Sequence, residues 1–145
     1  MAQGDVTVFD EFKAYMMDGD WGSTDSIRCA IVDNTTPPTK SDTTPQLTDY
    51  SEVTSAGTYT AGGEVLDDIA TMVAELDGVM TFDSDTNPTW AQDVGNATDA
   101  YWAIIYNDTD AGDLAIAFVD LDGPVDMTAG DLTITWNGSG IFTLT

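Results

Sequence analysis

Apolar residues occur in this chain as short runs, each cut off by a cluster of turn formers, and no other feature restricts the fold so tightly. Ser26 to Asp33 contains the unbroken run Cys29-Ala30-Ile31-Val32. Ala100 to Tyr106 and Leu114 to Leu121 are two more runs, separated by Asn107-Asp108-Thr109-Asp110-Ala111-Gly112-Asp113. Runs of this length, bounded by Asn, Asp and Gly, read as buried strands. Asp131 to Trp136 alternates instead. Leu132, Ile134 and Trp136 fall on one face and Thr133 and Thr135 on the other, the period of a half-buried strand. Gly138-Ser139-Gly140 then turns the chain into a last strand, Ile141 to Thr145. The expected fold is mainly β: a single antiparallel β-sandwich or barrel-like domain of about six or seven strands. No run approaches the roughly 20 apolar residues of a membrane span.

The N-terminal segment, residues 1–20, has a different period. Val8, Phe9, Phe12, Tyr15 and Met16 recur at spacings of three and four, which predicts a short amphipathic helix over Val6 to Met17. Asp5 can cap its start, and Asp18-Gly19-Asp20 stops it. Residues 34–50 form a long polar connection with Pro37, Pro38 and Pro45, expected to be irregular; connections of this length are usually functional or disordered. Gly62-Gly63 permits a sharp turn. Residues 65–76 read two ways. Leu66, Ile69, Ala70, Val73 and Leu76 fit a helix, whereas Met72 to Leu76, Asp77-Gly78 and Val79 to Phe82 fit a hairpin with an Asp-Gly turn. The hairpin is favoured.

The 145 residues suit one domain spanning 1–145, with no internal repeat. Charge then narrows the function. Of 26 acidic residues 22 are Asp, against only three basic ones, Lys13, Arg28 and Lys40, for a net charge of −23. Such a surface repels itself in dilute buffer and is relieved in molar salt, where the Debye length is about 3 Å. The composition suggests a halophile or its virus. Three scattered cations cannot make a phosphate-binding patch, so nucleic acid is not an expected partner. His is absent, which removes the most common general base and metal ligand. Cys29 is the single cysteine; it has no disulfide partner in the chain and reads as a small buried hydrophobe. Met1-Ala2-Gln3-Gly4-Asp5 lacks the basic and apolar regions of a secretory signal.

Candidate sites are few. Asp83-Ser84-Asp85-Thr86-Asn87 has the opening spacing of a calcium loop, but Pro88 stands where the loop needs Gly and Val94 where it needs Glu. Asp83 and Asp85, or Asp108, Asp110 and Asp113, could gather around a hard cation, yet with 22 Asp such clusters arise from composition alone. No cofactor is implied. No carboxylate pair has the context of a glycosidase. Asn34, Asn96, Asn107 and Asn137 stand in glycosylation sequons placed in expected loops. Trp102 and Trp136 sit in strand patterns and are expected in the core. Phe9, Phe12, Trp21 and Trp90 are the candidates for a subunit or partner interface.

The order of these segments resembles a family of small structural proteins from tailed double-stranded DNA viruses. The resemblance is carried by Ser26 to Asn34, by Tyr50-Ser51-Glu52-Val53, and by Gly57-Thr58-Tyr59-Thr60-Ala61-Gly62-Gly63. It continues through Thr81-Phe82-Asp83 with Trp90, Ala100 to Tyr106, and the closing pair Leu132 to Asn137 and Gly140 to Leu144. The chain departs from the family around 65–76, where it is longer. The resemblance implies a virion component of the head-decoration type, bound to the major capsid protein on the capsid exterior, self-associating, and without enzymatic activity. Such a protein would be made in the host cytoplasm. With the charge, it implies a virus of a halophilic archaeon. Two rival readings are a tail or receptor-binding module engaging host glycans, and a secreted carbohydrate-binding or hydrolytic domain.

Overall fold

A computed structural model describes residues 4–18 and 21–145. The fold is mainly β and sandwich-like, without barrel closure among the described residues. Strand β1 (Val6–Val8) leads into helix α1 (Phe12–Asp18), followed by β2 (Ser26–Val32), β3 (Glu64–Asp68) and the short helix α2 (Ile69–Met72). Then come β4 (Val73–Leu76), β5 (Val79–Phe82), β6 (Thr89–Trp90), β7 (Ala100–Asn107), β8 (Ala115–Val125), β9 (Leu132–Thr133) and β10 (Phe142–Leu144). They form a five-stranded sheet in the order β1-β8-β7-β2-β3, a three-stranded sheet β10-β5-β4 and a two-stranded sheet β6-β9, with antiparallel pairing throughout.

The centre of the large sheet is buried on both faces, which explains the unbroken apolar runs. In β2, Ile27, Cys29 and Ile31 enter one core while Ala30 and Val32 enter another. In β7, Ala103 and Ile105 join the first, and Ile104 and Tyr106 the second. The first core is closed by the small sheets through Phe82, Trp90, Leu132 and Ile141. The second is closed by Phe9 and by Leu47 and Tyr50 of the 34–50 connection. That connection has one 3₁₀ turn at Leu47–Asp49 and is otherwise irregular, as expected, but it serves as a cover for the sheet. Asp42 anchors it, accepting hydrogen bonds from the Thr39 amide at 2.9 Å and the Tyr50 hydroxyl at 2.9 Å.

Three expectations are corrected. The helix begins at Phe12, not Val6; Val6, Thr7 and Val8 pair with Val119, Phe118 and Ala117 of β8. The helical period broke there because Phe9 and Phe12 serve different cores: Phe9 meets Tyr50 and Phe118, whereas Phe12 meets Trp21, Phe82 and Phe142. The two closing segments do not pair with each other. β9 pairs with β6 and β10 with β5, so Gly138-Ser139-Gly140 carries the chain from one small sheet to the other. There are also ten strands among the described residues rather than six or seven, because short edge pieces leave little trace in sequence. The residues Gly19 and Asp20 of the expected helix stop lie outside the described residues.

The hairpin reading of 72–82 agrees with the structure. β4 and β5 pair from Leu76↔Val79 to Val73↔Phe82. Asp77 and Gly78 both have positive φ, 53° and 80°, the conformation a tight two-residue hairpin turn needs. Of the ambiguous stretch, Glu64–Asp68 is a strand and only Ile69–Met72 is helical.

Candidate functional site

The densest polar cluster surrounds the Gly62-Gly63 turn. Gly63 must be glycine: its φ is +66°, and a Cβ there would overlap the Cys29 carbonyl and lie 2.6 Å from Ala30 Cα. The turn therefore lies directly on β2. Glu52 Oε1 accepts from the Tyr59 hydroxyl at 2.6 Å and from the Gly62 amide at 2.6 Å. Arg28 donates Nε to the Gly62 carbonyl at 3.0 Å and a terminal nitrogen to the Gly63 carbonyl at 2.6 Å, and Tyr106 donates its hydroxyl to the Gly62 carbonyl at 2.8 Å. Arg28 is 3.9 Å from Asp108. Burial first, then the bond to Glu52, pushes the Tyr59 hydroxyl far above its ordinary range. A phenol held neutral and a guanidinium bound to carbonyls brace the turn.

A second such brace is Asn96. Its side chain accepts from the Thr58 amide at 2.8 Å and donates to the Ala91 carbonyl at 2.9 Å. A third is Asn107, whose amide donates to Asp25 at 2.9 Å while Asp25 accepts from the Gly22 amide. Asn96 is 6% exposed and Asn107 0%, so neither sequon can carry a glycan on the folded chain. Asn107 ends β7 instead of lying in a loop. Asn34 and Asn137 are exposed.

The aspartate candidates do not converge. No group of three acidic or Cys side chains is placed to hold a metal ion among the described residues. Asp83 accepts from the Ser84 amide, Asp110 from the Gly112 amide, and Asp108 faces Arg28; Asp85 is exposed. Burial, and then the charges of Asp108 and Asp110, raise the Asp113 carboxyl above its usual value.

The interface candidates are also reassigned. Phe9, Phe12 and Trp90 are 0%, 2% and 1% exposed, filling the chain's own cores, and so cannot face a partner. Trp21 is half-buried against Phe12. Trp102 and Trp136, expected in the core, are half-buried like Trp21 and pack against the edges of the two cores. Trp102 donates its indole N–H to Asn34 and Trp136 donates its own to the Thr86 carbonyl at 2.8 Å. Strand alternation could not separate these cases, because whether a face is covered depends on loops distant in sequence.

Trp136 stands on the wall of a groove of about 720 Å³. The groove lies between the start of β1, the Val119 to Val125 part of β8 and the Asp131 to Asn137 segment. Asp5, Asp120 and Asp131 supply its charges; Leu121, Val125 and Ile134 supply apolar surface. No helix among the described residues is long and apolar enough to cross a membrane. Comparison with protein-family models, with curated proteins and with solved structures found no match.

Proposed function

We propose that the chain is a structural virion protein, a decoration, cement or turret component on the outside of the capsid of a halophilic tailed virus, binding the major capsid protein and associating with itself. The observation that carries the reading is how the polar side chains of the interior are engaged. Glu52, Arg28, Asn96 and the Asp25–Asn107 pair hold turns to strands. The groove that remains is a contact surface. A decoration protein acts by bridging subunits through buried area, which requires a rigid block more than a reactive group. The likeness of the strand runs and the Tyr59 to Gly63 turn to head-decoration proteins supports the same reading.

Mass analysis of purified mature particles, with antibody labelling of intact virions, tests it. A stoichiometric copy on the head is the expected result. Absence from particles overturns it. Label confined to the tail overturns the head placement and favours a receptor-binding module.

A further inference from the structure

Two sheets present their edge strands to one cleft. β1 ends the five-stranded sheet and β10 ends the three-stranded one, each with a strand neighbour on one side only among the described residues. The groove described above reaches Gly4 to Val6. A second hollow of about 320 Å³ continues from Val6 to Asp10 and is walled opposite by Thr143 and Leu144 of β10. Val6 lines both, so the two hollows adjoin at β1 and are treated together as one cleft. Val6, Val8 and Leu144 are only partly buried against the core and leave apolar surface facing outward.

Charge is sorted along this cleft. One end carries Asp5, Asp120 and Asp131 and no basic residue. The other carries Lys13 and Lys40 beside Asp10. In a chain with 26 acidic residues an acidic rim alone says little. The basic end is the discriminating feature, because two of the chain's three cations meet there. Lys40 lies 3.3 Å from Asp10, but the two side chains are 64% and 59% exposed, so the pair is weak and either charge can be taken up by a partner.

We propose that this cleft receives one extended segment of the shell protein, laid as a strand beside β1 and β10. That segment carries a basic residue where it meets Asp5, Asp120 and Asp131, and an acidic residue where it meets Lys13 and Lys40. The proposal rests on the capsid reading above and names the surface that does the binding. Strand addition takes its affinity from main-chain hydrogen bonds and its specificity from side-chain pockets. A second copy of this chain is a poor occupant of this cleft, since with only three basic residues it has few to set against Asp5, Asp120 and Asp131; self-association would use another surface.

Binding of the labelled, full-length protein to virus particles stripped of it provides the test, in the lowest salt at which the protein stays folded. The variants are K13E/K40E at the basic end, D120K/D131K at the acidic end, and D99K, which lies outside the cleft, as control. All substituted residues are exposed except the partly buried Asp120, and circular dichroism checks each fold. The expected result is at least a tenfold rise in apparent Kd for both cleft variants and an unchanged value for D99K. Cleft variants that bind like D99K overturn the cleft while leaving the capsid reading intact. A wild-type protein that neither binds stripped particles nor occurs in mature ones overturns both.

Discussion

The carboxylate of Glu52 and the hydroxyl of Tyr59 lie 2.6 Å apart, and the same Glu52 oxygen also takes the Gly62 amide. Two donors thus share one acceptor, and beside it the Tyr59 hydroxyl reaches only the Ile31 carbonyl, at a long 3.5 Å. Removing Glu52 leaves the Gly62 amide unsatisfied and Tyr59 with that poor partner, while an amide of the same shape keeps an acceptor oxygen. Glu52→Ala should therefore cost about 2–3 kcal/mol, and Glu52→Gln clearly less. Denaturant unfolding measures both; equal losses would show that a neutral acceptor cannot replace the carboxylate at this turn.

Gly63 and Gly78 share a positive φ, +66° and +80°, but differ in surroundings. A Cβ at Gly78 meets nothing within 4 Å, whereas one at Gly63 runs into the backbone of Cys29 and Ala30. Gly78→Ala should cost only the left-handed conformation, about 1–2 kcal/mol. Gly63→Ala must also displace β2 from its turn, so it should cost about 4 kcal/mol or more, or prevent folding. Similar melting temperatures for the two variants would contradict this.

Cys29 is 0% exposed, and burial pushes its thiol far above the ordinary range. Thiolate is the reactive form. The native protein should leave a thiol reagent unconsumed at pH 8, and denaturant should release one equivalent. Rapid native labelling would show that β2 opens readily.

Asp42 supplies a pH dependence. Burial alone would raise its carboxyl, but the hydrogen bonds from Thr39 and Tyr50 outweigh it and hold the net value below that of a free aspartate. A group lowered in the folded state stabilises fully above its unfolded value, and that stabilisation fades as pH falls through the folded one. Asp42→Asn should cost about 1–2 kcal/mol at pH 7. The gap between variant and wild type should begin to close as the pH drops below about 4 and go on closing as it falls through the lower folded value. A constant gap from pH 7 to pH 3 would mean that the carboxylate charge contributes nothing to holding the 34–50 connection.

Residues that were legible in sequence have neighbours that dictate their local pattern. Cys29 to Val32 and Ala103 to Tyr106 read as strands because both of their faces are buried, and Asp77-Gly78 read as a turn because few other pairs adopt that backbone. Val6 to Val8 did not read as a strand. Three residues at a sheet edge take their conformation from β8, and Val8 and Phe9 happened to continue the apolar spacing of α1. Trp90 is buried rather than at an interface, and Trp136 is only half-buried, because the cover over Trp90 comes from β9, remote in sequence, and the indole of Trp136 ends on the Thr86 carbonyl. The cleft was invisible for the same reason: it exists only once β1 and β10, at opposite ends of the chain, stand side by side.

The net charge of −23 should make stability depend on salt. Lys13, Lys40 and Arg28 can offset few of the 26 acidic groups, so most carboxylates see only like charges around them. Screening acts on that repulsion at all distances beyond the Debye length, which shrinks from about 10 Å at 0.1 M to about 3 Å at 1 M. The melting temperature should rise steeply between about 0.05 and 1 M salt and then flatten, since little repulsion remains to screen. Tetramethylammonium chloride should act as well as sodium chloride in this range, because screening depends on ionic strength and not on the identity of the cation. A melting temperature unchanged from about 0.05 to 3 M would refute the electrostatic account. A rise with sodium but not tetramethylammonium would replace it with specific cation binding.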